Sequence, residues 1–360
     1  RLLLRAPFGL NFLENIEYLI VEMGIDEPTP PKNMEYLLTI IQPDIAVLLN
    51  VSAVHSMQFR SVKLIAHEKS KLATLNPRAR VVIYNADDKY ISKEVRGLKG
   101  KKLMSFGKNK KNYISYDNYK VSTKQTSFSF STNKEFIALN IKNYALPEEH
   151  RELLAASILV GQEAGLSLSQ IQRSLEKNIE IPAGRASIFT GIKNSIIIDS
   201  SYNASRSSTL ALLELTHQLS QKYKRPVAFV FGDMRELGEF ARREHEVVAR
   251  KIADVVNYLY CVGPLTKKYV VPKVKTFNLN PRGLSRSIHI LKWFSSSIDA
   301  GKHLKKHVPH KSIILFKGSQ NTIYLEEAIK PVLKNKQDAA RLCRQNKYWT
   351  RLKKVFFKVR

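Results

Sequence analysis

Polar side chains follow nearly every short apolar run of this chain, and their types suit phosphate and metal chemistry. They are Glu22, Asn50, His55, Asn85, Asp87 and Asp88 in the first half, and Asp199 to Asn203, Gly232-Asp-Met234 and Lys317-Gly-Ser319 in the second. In open parallel sheets, ligands bind outside the carboxyl ends of the strands. A purely structural chain can have polar groups at one or two strand ends, whereas clusters at nearly all of them predict an active edge.

Glu22 and His55 are candidate metal ligands in the first half. A strand-end carboxylate suits a hard cation such as Mg²⁺ beside a phosphate, although taken alone it is more often solvated. An isolated histidine such as His55 is usually structural. The two side chains could share one ion, but imidazole is an unusual magnesium ligand. Lys69, fourteen residues after His55, is typical of a solvated helix face on spacing alone.

Lys317 and Ser319 belong to a Lys-Gly-Ser turn between an apolar run and a helical stretch. Backbone N–H groups at a helix start attract anions, and the lysine adds positive charge. The turn fits a phosphate or carboxylate site and fits a simple turn equally well.

These residues are positioned by alternating strand-like and helical stretches. In the first part, residues 18–23, 44–50 and 80–84 are predicted strands, with helices up to residue 41 and over 61–75. Alternation over 121–140 predicts antiparallel hairpins, followed by helices over 147–164 and 167–177. After a boundary at 181–185, a hairpin over 187–200 and strands over 227–231, 258–262 and 313–316 form a second α/β unit. The interpretation is therefore two domains, over 1–182 and 183–333, and a basic amphipathic tail over 334–360.

Composition excludes several classes of protein. Of 360 residues, 59 are Lys or Arg and 31 are Asp or Glu, which gives a formal net charge of +28. The sequence contains no apolar run long enough to span a bilayer. Two cysteines are too few for a disulfide framework, and no Cys/His spacing suggests zinc. A reducing cytoplasm is the expected location.

Eight motifs occur in the order found in the Mur ligases. They are Val21-Glu-Met-Gly24, Gln42-Pro-Asp-Ile-Ala-Val47, His55 with Glu68-Lys-Ser70, Asn85-Ala-Asp-Asp88, Gly184-Arg185, Ile198-Asp-Ser-Ser-Tyr-Asn-Ala204, Phe231-Gly-Asp-Met-Arg-Glu-Leu-Gly238 and Phe316-Lys-Gly-Ser319. Each motif is weak alone, but the ordered set is specific and covers about residues 10 to 333. The chain resembles this family, and within it the member that joins D-Ala-D-Ala to UDP-MurNAc-tripeptide.

The resemblance implies a fold, a reaction and site residues. The fold is a parallel-sheet ATPase central domain followed by a Rossmann-like domain, and the reaction is ATP-dependent amide-bond formation through an acyl phosphate in peptidoglycan synthesis. The cofactors implied are ATP and Mg²⁺, and a monomer without a specific nucleic-acid partner is expected. By the family pattern the residues are Glu22, His55 and a carbamylated Lys69 for the metal, Asn85, Arg185, Asp199, Tyr202 and Asn203 for the nucleotide, and Lys317 and Ser319 for the amino substrate.

The chain departs from the family pattern in three respects. No Gly-x-x-x-x-Gly-Lys-Ser/Thr loop occurs, Ser200 replaces a second acid, and Ser205-Arg206 and Gln320 replace Asn-Pro and Arg. The missing phosphate loop indicates a central domain that lacks its first strand. The chain is then either an N-terminally shortened ligase, which its start at Arg1 favours, or a degenerate non-catalytic paralogue.

The positive charge supports an alternative function, the binding of a polyanion such as nucleic acid. Lysine and arginine neutralise phosphates and give salt-dependent, non-specific affinity. No known nucleic-acid-binding motif accompanies the charge, and lineage bias explains it equally well. The tail, with ten Lys or Arg and one Asp, either packs against the last domain or lies on an anionic membrane surface.

Overall fold

The computed structural model describes residues 17–51, 59–132, 135–142, 144–279, 288–319 and 323–358. Its first sheet contains β1 (Ile45–Leu48), β2 (Val81–Asn85), β3 (Lys102–Gly107), β4 (Ile114–Val121), β5 (Gln125–Ser131) and β6 (Phe136–Lys142), side by side in chain order. β1 to β4 pair in parallel, whereas β4, β5 and β6 pair antiparallel. The predicted parallel strands over 44–50 and 80–84 and the predicted antiparallel hairpins are therefore confirmed.

Helices cover both faces of this sheet. They are α2 (Val62–Thr74), α3 (Lys89–Val95), α4 (His150–Glu163) and α5 (Leu168–Asn178), and α1 (Met34–Ile40) packs against α2. On one face, Ala46 and Val82 pack against α2 and α3. On the other, Ile83 and Met104 pack against α4 and α5. The strands are apolar on both sides because helices bury both sides.

The second sheet contains β7 (Ser187–Thr190), β8 (Ile196–Ser200), β9 (Val227–Gly232), β10 (Tyr258–Val262), β11 (Ile290–Phe294) and β12 (Ile313–Lys317). Its strand order is β11-β10-β9-β12-β8-β7. All neighbours are parallel except β7 and β8, which form the predicted hairpin. β12 inserts between β8 and β9, so the turns after these three strands meet at one edge.

The helices of the second unit are α6 (Arg206–Tyr223), α7 (Ala241–Val255), α8 (Val271–Leu279), α9 (Ser297–His307), α10 (Glu326–Ile329) and α11 (Lys347–Lys358). Phe229 and Phe231 of β9 pack among α6 and α7. Ala228 and Val230 pack on the opposite face with α9 and α10. This alternation along β9 places a full apolar layer on each side of the sheet.

The structure differs from the predicted elements in three places. Residues 18–23 form no strand in the described structure, and Ile20 is 89% exposed. An apolar run becomes a strand only where a neighbouring strand satisfies its backbone groups, and among the described residues no strand pairs with this run. β3 and β11 were not predicted, because the apolar run of β3 is short and lies in a lysine-rich stretch, and Lys292 interrupts that of β11. Among the residues described, no helix combines the length and apolar content needed to cross a bilayer.

Candidate active site

Asp88 ties together two turns at the carboxyl edge of the first sheet. Its Oδ1 accepts hydrogen bonds from the N–H groups of Tyr90 (2.9 Å) and Ile91 (3.1 Å), which caps the start of α3. Its Oδ2 accepts a hydrogen bond of 2.7 Å from the N–H of Val51, just after β1. One side chain thus fixes the turn after β1 against the helix after β2.

Lys69 on α2 faces the same turn. Its Nζ donates to the backbone oxygen of Asn50 at 3.5 Å. Burial lowers the pKa of Lys69, and the carboxylates of Asp88 and Glu22 oppose that shift. Asn50 in turn donates from its side chain to Glu152 Oε2 at 3.2 Å, and burial raises the pKa of Glu152. Lys69 and Glu22, both singled out in the sequence, therefore lie within electrostatic reach of each other.

The other predicted residues of the first sheet have different positions. Asn85 Oδ1 accepts a hydrogen bond of 2.9 Å from the N–H of Asp87, and both carboxylate oxygens of Asp87 accept from the N–H of Lys108 at 3.0 Å. These two side chains hold the turns after β2 and β3. His55 lies outside the described residues. Across the described part of the chain, no three or more His, Cys, Asp or Glu side chains are grouped to hold a metal.

Lys317 is the buried cation at the carboxyl edge of the second sheet. Its Nζ, at the end of β12, donates to the backbone oxygen of Asn203 at 2.6 Å and to Ser200 Oγ at 3.2 Å. Burial, aided by the nearby charge of Arg185, lowers the pKa of Lys317 to about 7, while Asp199 acts in the opposite direction. Because its pKa lies near neutrality, this amine is able to gain or lose a proton at physiological pH.

Asp199 lies at the end of β8, beside Lys317 in the sheet, and is fully buried. Its Oδ1 accepts a hydrogen bond of 2.9 Å from the N–H of Ser201. Burial raises the pKa of Asp199 to about 6. Its Oδ2 has no hydrogen-bond partner among the residues described. A buried polar atom without a partner is costly, so this oxygen is available to a ligand or water.

Exposed Arg185 and half-buried Tyr202 form a platform next to this cluster. The Arg185 guanidinium lies over the Tyr202 ring, 4.8 Å from its centroid. Asn203 is exposed, and its side-chain oxygen accepts a hydrogen bond of 2.8 Å from the N–H of Ala204. A cation stacked on an aromatic ring at the mouth of a polar cluster suits a ligand that is both planar and anionic.

The predicted residue Ser319 supports a neighbouring loop. Its Oγ accepts a hydrogen bond of 3.0 Å from the N–H of Arg235, and its own N–H donates to the backbone oxygen of Asp233 at 3.1 Å. The Asp233 carboxylate accepts from the N–H groups of Leu265 (3.1 Å) and Thr266 (2.8 Å). Ser319 and Asp233 therefore lock the turns after β12, β9 and β10 to one another.

The residue pattern did not reveal Arg344 and Glu326. Arg344 donates to the backbone oxygens of Ser201 (2.8 Å) and Tyr202 (3.1 Å), which are the residues that follow β8. The same guanidinium makes two hydrogen bonds to Glu326, at 3.0 and 2.8 Å, and Glu326 is fully buried. No sequence spacing indicates this contact, because the partners are far apart in the chain and Arg344 belongs to a generally basic segment.

Comparisons with known proteins agree with the motif order. The family model for the Mur ligase middle domain matches residues 7–147, and the model for the Mur ligase glutamate ligase domain matches residues 184–320. Two curated relatives carry the name UDP-N-acetylmuramoyl-tripeptide–D-alanyl-D-alanine ligase. The one from Buchnera aphidicola (subspecies Baizongia pistaciae) is 26% identical over 327 residues, which cover 89% of this chain and 66% of the relative. The one from Rickettsia prowazekii is 27% identical over 314 residues, which cover 86% and 65%.

Solved structures show the same fold. The MurF ligase of Thermotoga maritima in complex with ADP matches with a TM-score of 0.71 at 19% identity, over 97% of this chain and 71% of that one. The chain spans about two thirds of the length of the two curated relatives described above. The resemblance and the α/β fold predicted from the sequence are confirmed, and the chain belongs to the Mur ligase family.

Proposed function

We propose that this chain supplies the nucleotide-binding and amino-substrate-binding parts of an ATP-dependent amide-bond ligase of peptidoglycan precursor synthesis. The substrates proposed are those in the relatives' name, UDP-MurNAc-tripeptide and D-Ala-D-Ala. The observation that carries the proposal is the grouping of Arg185, Tyr202, Asp199 and Lys317 at the carboxyl ends of β8 and β12. The proposal includes a cytoplasmic monomer and domains over residues 1–182 and 183–333, with the tail over 334–360.

The proposed reaction has two steps. A substrate carboxylate attacks the γ-phosphorus of ATP, which releases ADP and leaves an acyl phosphate. The amine of D-Ala-D-Ala then attacks the acyl carbon, phosphate departs with the bonding electron pair, and the nitrogen loses a proton. Such transfers need positioned cations and aligned reactants more than covalent help from the protein.

The residues grouped at the carboxyl ends of β8 and β12 have the chemistry that a nucleotide and an amine require. Arg185 would bind phosphate oxygens, and Tyr202 and Asn203 would line the nucleotide beside it. Asp199 Oδ2, which has no partner among the described residues, would accept a ligand donor. Lys317, with its pKa near 7, would lie with Ser319 beside the incoming amine. Asn85 would act on the nucleotide through the turn that it holds after β2.

At the carboxyl edge of the first sheet, the side chains around Lys69 include the kind of oxygen ligand that binds a magnesium ion. Carboxylate oxygens are the ligands that Mg²⁺ prefers, and Glu22, which lies within electrostatic reach of Lys69, would provide them. When bound, Mg²⁺ neutralises charge on phosphate oxygens. Burial lowers the pKa of Lys69 and so enlarges its neutral fraction, the form of an amine that adds carbon dioxide to give an anionic carbamate. His55 belongs to the proposed metal set, and its position lies outside the described residues.

Equilibrium titrations test the proposal on the 360-residue chain. ADP with Mg²⁺ and, separately, D-Ala-D-Ala are titrated into wild type, Arg185→Met and Lys317→Met. We expect Arg185→Met to weaken ADP binding about tenfold, the loss of one charge-assisted contact, and Lys317→Met to weaken D-Ala-D-Ala binding selectively. Arg173→Met, an exposed arginine on α5, is the control and should bind as wild type. A chain that shows no saturable binding of either ligand contradicts the proposal.

We further expect no ligation by the 360-residue chain alone. No Gly-x-x-x-x-Gly-Lys-Ser/Thr loop is present to cradle the β- and γ-phosphates. Phosphate release is measured with ATP, Mg²⁺, UDP-MurNAc-tripeptide and D-Ala-D-Ala. Release that requires all the substrates would show that other residues replace the loop.

A further inference from the structure

One side of α11 is fixed to the second domain. Tyr324 packs edge-on against Trp349, Phe356 and Phe357, with ring centroids 6.4, 5.0 and 6.1 Å apart. From the same side, Lys353 donates to Glu327 Oε1 at 2.6 Å. Packing against the last domain, one of the two alternatives for the tail, is therefore present over this helix, and α11 presents a defined outer surface.

On another side of α11, a stripe of apolar side chains faces solvent. Tyr348, Leu352 and Val355 are 65%, 36% and 58% exposed. Their spacings of four and three residues place them on one line along the helix. Packing against the domain thus leaves this stripe uncovered among the described residues.

Exposed cations border the stripe on one flank. They are Lys347, Arg351, Lys354 and Lys358. Beyond them lies a cavity of about 740 Å³ whose lining includes Phe357 together with Lys267, Lys268 and Lys302. One acid, Asp299, belongs to this lining and lies 3.6 Å from Lys302. The surface beside the stripe is therefore strongly positive.

We propose that α11 docks the protein on an anionic lipid surface, with Tyr348, Leu352 and Val355 entering the interface and the flanking cations contacting lipid phosphates. A helix that carries an apolar stripe beside a cationic face lies in the plane of a membrane interface. Each lysine or arginine near an anionic leaflet strengthens binding, and apolar side chains add burial. A nucleic acid would use the cations alone, so the exposed leucine and valine favour lipid. This inference does not depend on the proposed ligase activity.

Vesicle co-sedimentation tests the docking. The 360-residue chain is mixed with vesicles of phosphatidylcholine containing 30% phosphatidylglycerol, or of phosphatidylcholine alone. We expect binding to the anionic vesicles only. Arg351→Glu, which reverses one charge, should weaken it roughly thirtyfold. Leu352→Ser combined with Val355→Ser should weaken it about tenfold, because burial of the side-chain carbons is lost.

Matched substitutions elsewhere serve as controls. Arg173→Glu on α5 and Leu166→Ser, at a site 43% exposed, should each change vesicle binding less than threefold. All five positions are exposed, so circular dichroism should show every variant folded. Failure to bind anionic vesicles overturns the proposal. Equal binding of the stripe variant and wild type overturns it as well. If duplex DNA binds at the same salt and only Arg351→Glu weakens binding to DNA and to vesicles alike, a general polyanion surface replaces it.

Discussion

Replacing Arg344 by methionine should destabilise the second domain by about 3 kcal/mol. The guanidinium makes two hydrogen bonds to the fully buried Glu326 and two more to the backbone oxygens of Ser201 and Tyr202. Removing one partner of a buried ion pair costs about 3–5 kcal/mol, because a charge is left uncompensated. Lys353 Nζ remains 3.4 Å from Glu326, so the lower end of that range applies.

Urea denaturation followed by tryptophan fluorescence measures this change. Trp293 lies in the second domain, and Trp349 lies in the tail helix that packs against Tyr324 of that domain, so both report its unfolding. Adding Glu326→Leu to Arg344→Met should recover part of the loss, since no buried carboxylate is then left without its arginine.

Arg341→Met is the matched control, because Arg341 is an exposed arginine paired at 3.0 Å with Asp338 in the same segment. It should cost less than about 1 kcal/mol. Two results would refute the reasoning on Arg344. One is a single substitution that costs less than about 1 kcal/mol, and the other is a double variant less stable than the single one.

Three further predictions concern stability and use urea midpoints. Burial raises the pKa of Asp199 to about 6, so the stability that its protonated form contributes is present below pH 4 and is lost as pH rises through 6. The stability of Asp199→Asn should therefore rise relative to wild type between pH 4 and 7. A stability difference between the two that stays constant with pH contradicts this. Asp88→Ala should cost about 1–2 kcal/mol through loss of the α3 cap, whereas Asp88→Asn, which keeps an acceptor oxygen, should cost less. A Cβ on Gly232 would lie 3.2 Å from the Gly318 backbone, so Gly232→Ala should cost about 1–3 kcal/mol, while Gly24→Ala, in open space, should cost less than about 1 kcal/mol.

The sequence predicted the positions of site residues where local pattern and sheet geometry agree, and their roles stay predictions. Lys317 and Asp199 belong to motifs far apart in the chain, yet both end adjacent parallel strands, and the carboxyl ends of such strands share one edge. Asp88 was identified by position, but its cap of α3 and its bond to Val51 became visible only in the structure. The metal set stays a prediction, because it depends on His55.

Tertiary context decided the features that the sequence pattern missed. The apolar run over residues 18–23 has strand composition but no pairing neighbour in the described structure. β11 contains a lysine, and it is a strand because β10 pairs with it along its full length. Arg344 lies in a segment where most charges are solvated, and nothing in its spacing distinguishes the buried guanidinium from its exposed neighbours.

The contact between Arg344 and the loop after β8 can form only late in the synthesis of the chain. Its two partners there are separated from it by 142 and 143 residues of sequence. At synthesis rates of about 5–20 residues per second, the arginine leaves the ribosome roughly 7–30 s after the loop that it holds. During that interval the carbonyl groups of Ser201 and Tyr202 have only water or transient neighbours. The loop therefore gains these two contacts only after Arg344 has left the ribosome, and slower translation lengthens that interval.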